Sequence, residues 1–310
     1  MKKHIFWAFF AVTMLLLATS CEREGVYSPK KRISKIYVDD GSGRKLDQAW
    51  TWKGKQLRSI SYLGGTGELR FQYDGKQLIS ITQLGGNNMY YLFHYNKNGQ
   101  QLDSLDVYVD MLNQNPNVRH YAHYDFTYND EGLISGYEEV IYYIGQSKED
   151  EQALAMVLQC AVPGLPEVAA TRLAKTSTSR NKGDDIEWIR YSASFSYNGE
   201  NVTECHISMK NAYEYSYTFT YTDYLNPYYK FFQNASFGSS NLYSRNLVKT
   251  CHYEEHLTIE PTGDHYEDME YQYETEDQYP VKATMNSYIQ YYAFPEYPDS
   301  ATIIRYYEYE

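Results

Sequence analysis

The residues best suited to metal chemistry are two histidine pairs. The first pair stands in His252-Tyr253-Glu254-Glu255-His256, which matches H-x-x-E-H, a zinc-protease motif in which both histidines hold one ion. That chemistry needs a helix, because a helix places residues i and i+4 on one face. The flanking residues 248–259 are typical of strand and turn, where the two Cβ atoms would lie roughly 13 Å apart. We therefore interpret both histidines as solvent-facing strand residues.

The second pair, His120 and His123, has no acid or thiol at ligand spacing along the sequence. We expect both to be sheet surface residues, and we predict no metal ligands and no cofactor. Acids are abundant in the last third, for example Glu267, Asp268 and Glu270, but no motif selects two carboxyl groups for glycoside hydrolysis. Nucleophile-elbow, P-loop and Rossmann patterns are missing from the sequence. The prediction is a protein without catalytic residues.

The first 21 residues carry the clearest processing signal. Lys2 and Lys3 precede an apolar run, residues 5–17, and small residues then lead into Cys21. This order is typical of a bacterial lipoprotein signal, and the apolar run is too short for a membrane span of about 20 residues. We predict a signal peptide over residues 1–20, acylation of Cys21, and a lipidated tether over residues 21–34.

Three further cysteines follow Cys21, so one must stay unpaired if the other two form a disulfide. They are Cys160, Cys205 and Cys251. Export permits disulfides, and Cys205 and Cys251 both fall in strand-like segments. These two are candidate partners, although sequence alone leaves the pairing open.

Composition points to an acidic, tyrosine-rich sheet protein. The chain of 310 residues has a formal net charge of −12, which argues against a nucleic-acid partner, because phosphates require Lys and Arg. Tyrosine occurs 36 times, against 12 Phe and 4 Trp. Tyrosine favours strands and suits a surface that is partly apolar and partly wet. The tyrosines either cover a sheet or form an aromatic platform for a sugar or another ligand.

One unit recurs along the chain: a strand ending in an aromatic residue, a short polar or glycine turn, and a second strand. Lys-Gly, Asp-Gly and Asn-Gly supply the positive φ that tight hairpins need. The clearest copies are Trp52–Ile60, Tyr73–Ile81, Tyr95–Leu105, Tyr128–Ser135 and Tyr197–Val202. A single hairpin cannot bury its apolar face, so neighbouring hairpins must pair edge to edge.

The strands between these turns alternate strictly between apolar and polar residues. Odd positions of residues 213–221 are aromatic and even positions are polar. This pattern predicts an antiparallel sheet with one wet face, which must curl or close to protect its edges. Residues 146–187 break the pattern, with helical residues 148–160 followed by a polar loop. We therefore predict one all-β domain over residues 35–310, a long antiparallel meander that is curled or barrel-like, with a small helical insertion.

Two sets of motifs resemble known families. The hairpins resemble the YD-type repeats of Rhs proteins. In the second half, four motifs follow one another: Leu225–Tyr229, Ser244–Val248, Tyr271–Tyr273 and Gln278–Ala283. This order resembles a Bacteroides-type family of lipoproteins of unknown function, described as having a porin-like fold. Gln278 stands where that family has a glycine, and Ala283 where it has an isoleucine.

This resemblance implies a curled or barrel-like antiparallel sheet and no catalytic residues. Asp103-Ser104-Leu105 and Asp299-Ser300-Ala301 resemble the D-S/T-aliphatic O-glycosylation sites of such bacteria. Ser104 and Ser300 are therefore candidate glycosylation sites.

The function predicted from these features is that of an exported lipoprotein, anchored to the outer membrane on its periplasmic or cell-surface face. A transmembrane barrel needs an apolar band facing lipid, and here the aromatic face is better explained as the inner core of a curled sheet. Three roles remain open. The first is a non-enzymatic module that binds a glycan or an envelope protein, and the second is a structural or accessory subunit of an outer-membrane complex. The third is a hydrolase that uses the C-terminal acids.

Overall fold

The computed structural model describes Tyr27 and residues 29–85, 88–99, 101–110, 118–142, 189–209, 213–230, 244–257, 264–292 and 299–310. The predicted signal peptide, Cys21 and the predicted helical insertion lie outside these residues. In the described part of the chain, no helix is long and apolar enough to cross a membrane.

Sixteen strands make up nearly all of the described chain. A single short 3₁₀ turn, Leu63–Gly65, joins the third and fourth strands. The strands are β1 (Ile33–Asp39), β2 (Lys45–Lys53), β3 (Gln56–Tyr62), β4 (Gly67–Asp74), β5 (Gln77–Leu84), β6 (Asn88–Tyr95), β7 (Leu102–Asp110), β8 (Val118–Tyr128), β9 (Ile134–Ile141), β10 (Ile189–Asn198), β11 (Asn201–Met209), β12 (Tyr213–Leu225), β13 (Asn246–Leu257), β14 (His265–Glu276), β15 (Tyr279–Tyr291) and β16 (Asp299–Tyr309).

The sheet is a meander that closes into a barrel. Each strand pairs antiparallel with its neighbours in sequence, and β1 pairs with β16, from Ile33 opposite Tyr309 to Asp39 opposite Ile304. The predicted all-β antiparallel meander is confirmed, and of the two forms left open, curled or closed, the structure has the closed one. Closure satisfies the backbone groups that the first and last strands would otherwise expose.

The predicted hairpin turns form where the sequence places them. Gly54, Gly75 and Gly199 have φ of 60°, 58° and 59°, values that favour glycine because a Cβ is strained there. At the late turn between β14 and β15, which has no glycine, Asp277 and Gln278 both adopt positive φ, 50° and 69°. The hairpin therefore forms without glycine, at the conformational cost that non-glycine residues incur in this region.

The aromatic residue before several of the turns forms a hydrogen bond with the preceding strand or hairpin. Tyrosine hydroxyls donate to backbone carbonyl oxygens one hairpin back: Tyr95 to Leu78 at 2.7 Å, Tyr128 to Leu102 at 2.6 Å and Tyr197 to Ile134 at 2.7 Å. The indole N–H of Trp52 donates in the same way to Ile33, at 2.8 Å. These bonds explain why tyrosine rather than phenylalanine recurs here, since only tyrosine has a polar tip for a half-buried site.

The apolar faces point into the barrel. In β10, Tyr191, Ala193 and Phe195 are buried while the serines between them are exposed. The inward-facing side chains of the described strands form one hydrophobic cluster, and several are fully buried, including Ile33, Leu57, Ile81 and Leu102. Residues lining a water-filled lumen would be solvent-exposed, so this interior is a packed core.

The barrel has two distinct ends. Connections after even-numbered strands, such as the turn at Gly54, lie at one end, and connections after odd-numbered strands lie at the other. Tyr27, inside the predicted tether, is buried at the first end, where its hydroxyl donates to the Pro227 carbonyl and its ring lies 5.8 Å from that of Trp52. We call the end that holds Tyr27 the anchor end and the opposite end the far end.

Candidate functional site: an aromatic platform on the outer wall

A shallow groove of about 430 Å³ crosses the outer wall from β12 to β15. Antiparallel pairing aligns residues of four strands across it, and because outward and inward residues alternate, most of the side chains that face the groove end in hydroxyl, amide, imidazole or carboxylate groups. Its outward-facing lining residues are Thr218, Thr220, Thr250, His252, Asp268, Glu270, Asn286 and Tyr288.

Exposed aromatic rings border the groove toward the far end. Tyr266 lies 6.4 Å from Tyr288, 5.8 Å from Tyr292 and 5.8 Å from His252, measured between ring centroids. His256 stacks on Tyr292 at 6.4 Å. Tyr288 and Tyr292 are 40% and 48% exposed. We call these five residues the aromatic platform.

Hydrogen bonds hold the platform in place. His252 Nδ1 lies 2.7 Å from Asp268, and the Tyr292 hydroxyl donates to Glu254 at 2.7 Å. The bond to Glu254, followed by partial burial, raises the pKa of Tyr292 to about 12, so its hydroxyl stays protonated. The platform therefore combines flat apolar rings with fixed acceptors and donors, the combination that binds the apolar faces and hydroxyl groups of a sugar.

The H-x-x-E-H segment lies in strand β13, as predicted, and not in a helix. His252 and His256 both point outward and are 43% and 54% exposed, so the expectation of solvent-facing histidines is confirmed. The motif's glutamate, Glu255, points inward and is buried. Strand geometry thus separates residues that a helix would have gathered on one face.

The acids of β14 are likewise divided between two faces. Asp268 and Glu270 line the outer groove, whereas Glu267 accepts a hydrogen bond from the inward-facing Ser287 at 2.5 Å. The three carboxyl groups therefore do not form one site.

Two acids inside the barrel are further candidates that the sequence did not single out. Glu139 is 1% exposed and accepts a hydrogen bond from the Tyr124 hydroxyl at 2.5 Å. Glu255, also 1% exposed, lies 3.2 Å from His265. The sequence does contain a signal for these two buried acids, which is a charged residue at an inward position of an alternating strand. Glu139 stands two residues from the inward Tyr137, and Glu255 stands two residues from the inward Tyr253.

His120 and His123 lie on the outer wall, as expected, but they have an acidic partner that sequence spacing did not reveal. Asp106 of β7 lies within 2.9 Å of both imidazoles. Among the described residues, Asp106, His120 and His123 form the group of His, Cys, Asp or Glu side chains that lie close enough together to hold a metal ion. Cross-strand pairing brings them together, so no spacing along the chain could predict the contact.

Cys205 and Cys251 are both buried, and no disulfide joins them in the structure. They lie on β11 and β13, opposite Tyr217 and Phe219 of the intervening β12. Two strand spacings amount to roughly 9–10 Å, whereas a disulfide needs Cα atoms within about 7 Å. The candidate disulfide is therefore not formed, and burial raises the pKa of the Cys251 thiol, which disfavours the reactive thiolate.

The candidate glycosylation sites both lie in outward-facing strand positions. Ser104 is half-buried in β7 and Ser300 is exposed near the start of β16. Their modification stays a prediction, as does acylation of Cys21.

Comparison with known proteins gives likeness only at the level of solved structures. No protein-family model and no curated protein matches the sequence. The chain is similar to a porin-like protein from Bacteroides vulgatus ATCC 8482, with 10% identity, a TM-score of 0.39, and coverage of 91% of this chain and 99% of that one. It is also similar to a porin-like protein from Bacteroides uniformis ATCC 8492, with 12% identity, a TM-score of 0.44, and coverage of 92% and 100%. Likeness this distant carries no argument about function, so the resemblance to the lipoprotein family stays a prediction.

Proposed function

We propose that this chain is a non-enzymatic, lipid-anchored envelope protein that binds a neutral glycan on the aromatic platform. The single observation that carries the proposal is the cluster of three tyrosines, two of them exposed, beside a groove lined by polar side chains. Tyr288 of β15 and Tyr292 just beyond it expose their rings, whereas Tyr279 of the same strand is buried. Exposed aromatic clusters of this kind mark binding sites.

The packed interior supports a role for the outer surface. The buried apolar cluster occupies the inside of the barrel, and polar residues face outward, as the serines of β10 do. A transmembrane barrel has the opposite arrangement, with an apolar outer band and a polar lumen. Binding at the outer wall is the role compatible with this distribution.

The charges near the platform select among glycans. Glu254, Asp264, Asp268 and Glu270 lie at or beside it. Carboxylates accept hydrogen bonds from sugar hydroxyls but repel uronic acids and phosphates. The ligand is therefore a neutral or amino sugar rather than an anionic polysaccharide.

The position of Tyr27 supports display of the platform away from the membrane. Six Cα-to-Cα steps link Cys21 to Tyr27, a reach of roughly 20 Å at most. An acylated Cys21 would hold the anchor end near the membrane. Tyr292 directly follows β15 at the far end, so the platform would point away from the lipid.

Barrel closure weighs against an accessory subunit that adds its edge to another sheet. Each of the sixteen described strands has a hydrogen-bonded neighbour on both sides. Edge pairing with a partner would require opening the β1–β16 ladder.

Binding of neutral glucans and mannans should depend on the exposed tyrosines. We expect Tyr288→Ala and Tyr292→Ala each to weaken the affinity about tenfold, because truncating an interface tyrosine typically costs more than 1 kcal/mol. The affinities are measured by isothermal titration calorimetry on full-length protein, after an array of neutral polysaccharides has identified a ligand. Tyr224→Ala is the matched control, since Tyr224 is 38% exposed but lies near the end of β12, toward the anchor end of the barrel. Equal losses in the control, or no glycan bound by the wild type, would contradict the proposal.

Acylation should determine where the protein fractionates. We expect the wild type to sediment with membranes and Cys21→Ala to remain in the soluble fraction, because the thiol is the attachment point of the lipid. Protease treatment of intact cells then separates the two faces: digestion indicates the cell surface and protection indicates the periplasm. If Cys21→Ala sediments like the wild type, the anchor assignment is wrong.

A further inference from the structure

We propose that Asp106, His120 and His123 form a binding site for a divalent transition metal of the zinc type. The site lies on the outer wall of β7 and β8, several strands away from the aromatic platform, and it is independent of glycan binding. One ligand atom from each residue lies within 4.8 Å of the other two. Two imidazoles and one carboxylate suit zinc, nickel and copper, whereas calcium and magnesium prefer all-oxygen sites.

A β-bulge places both imidazoles on one face. His120 and His123 are three residues apart, so a regular strand would point them in opposite directions. In the β7–β8 ladder, Val107 pairs with Ala122 and Tyr108 pairs with His120, which leaves Tyr121 as the extra residue. Tyr121 and Ala122 both point inward and are buried, and both histidines point outward. Bulges that redirect a side chain in this way are often found at functional sites.

The ligand atoms already converge on one point. His120 Nε2 and His123 Nδ1 lie 2.9 and 2.7 Å from the same oxygen of Asp106. Metal bonds of about 2.0–2.1 Å at tetrahedral angles space ligand atoms roughly 3.3 Å apart, and the three ligand atoms here lie within 4.8 Å of one another, so side-chain shifts on the order of 1 Å admit an ion.

Neighbouring groups orient each ligand as the second shell of a metal site does. The other ring nitrogen of His123, Nε2, lies 3.1 Å from Asp125, and the second oxygen of Asp106 lies 2.8 Å from His94. The His120 ring stacks against Tyr108 at 4.9 Å and lies 4.4 Å from Tyr142. Carboxylates that accept the second imidazole proton are typical of metal-binding histidines.

The site is open to solvent. The side chains of His120 and His123 are 35% and 26% exposed, and Asp106 is 18% exposed. Three protein ligands leave a fourth position of a tetrahedral ion for water or for a donor group of another molecule. An ion would therefore enter without any opening of the barrel.

The test is a zinc titration of untagged, full-length protein in detergent after treatment with EDTA. We expect one zinc ion per chain by isothermal titration calorimetry, and a visible Co²⁺ absorption band typical of nitrogen and oxygen ligands. His123→Ala and Asp106→Asn should each weaken zinc binding about a hundredfold or more, and His94→Ala about tenfold as an orienting group. Asp106→Asn keeps the shape of the side chain, so its zinc affinity tests the site even if His123→Ala fails to fold.

His252→Ala is the matched control, because His252 is also an exposed histidine bonded to one aspartate, Asp268. Its zinc affinity should stay within about twofold of the wild type. The proposal is overturned if the wild type binds no stoichiometric zinc, if Asp106→Asn binds it equally well, or if the loss appears in His252→Ala instead.

Discussion

The wild type is expected to lose unfolding free energy as the pH rises from about 4.5 to about 8, and the Glu139→Gln variant is expected not to show this loss. Burial raises the pKa of Glu139 to about 8 from 4.5, although the hydrogen bond from Tyr124 opposes this. Below pH 4.5, the folded and unfolded chains both hold the proton. Between 4.5 and 8 only the unfolded chain releases it, so rising pH favours unfolding; above 8 the difference is constant.

The size of this effect follows from the pKa difference. At 1.36 kcal/mol per unit, the wild type should lose roughly 4–5 kcal/mol of unfolding free energy from this group between pH 4 and pH 9. Glutamine is neutral at every pH and keeps an acceptor for the Tyr124 hydroxyl, so the variant should lack that loss. The measurement is urea unfolding of both proteins at pH 4 and pH 9. The change in unfolding free energy between the two pH values is taken for each protein, and the variant's change is subtracted from that of the wild type, so that pH-independent effects of the substitution cancel.

Glu138→Gln is the control for this experiment. Glu138 is adjacent on β9 but points outward, and its side chain is 67% exposed. Its variant should follow the wild-type pH dependence closely. Parallel pH profiles for the wild type and Glu139→Gln would show that Glu139 is not the group responsible.

His265→Leu is expected to lower the free energy of unfolding by about 3–5 kcal/mol, since it leaves the buried Glu255 without its imidazole partner. His265 Nδ1 lies 3.2 Å from Glu255, and both side chains are almost fully buried. The Tyr253 hydroxyl donates to the same Glu255 oxygen at 2.9 Å and would remain after the substitution. Leucine nearly matches histidine in volume, so the loss reports the missing polar partner rather than a cavity. Chemical denaturation at pH 7 measures it.

The double variant separates this explanation from simple disruption. Glu255→Leu combined with His265→Leu removes both polar partners, and it should recover most of the lost stability, because replacing a buried pair by apolar residues is often neutral. His256→Ala, an exposed neighbour on the outer face of β13, should change stability by no more than about 0.5 kcal/mol. A double variant as unstable as His265→Leu would refute the proposed role of the pair.

The hairpins were predictable because their determinants are local. Positive φ at Gly54 and Gly75 and strict alternation in β10 and β12 depend on a few neighbouring residues, and the structure confirms them. Closure was only partly predictable. Pairing of β1 with β16 joins segments almost 270 residues apart, and the alternation of either strand is equally compatible with an open, curled sheet.

The candidate sites were less predictable from the sequence than the hairpins were. The aromatic platform joins residues of β13, β14 and β15 with Tyr292 just beyond, and their neighbourhood depends on register between strands. The His120, His123 and Asp106 cluster depends on a bulge at Tyr121, which changes the facing of every residue before it. A regular strand would place His120 and His123 on opposite faces, whereas the bulge places both on the outer one.

The sequence by itself thus determined the strand class, the turns and the alternation of faces, since these depend on backbone conformation and on the side chains next to it. Tertiary structure alone decided which outward residues meet. Hydrogen-bond registers and one inserted residue bring together groups that stand between 3 and 17 positions apart at the histidine cluster and up to 40 positions apart at the platform. Contact between residues on neighbouring strands is a property of the closed sheet, and no short stretch of the chain encodes it.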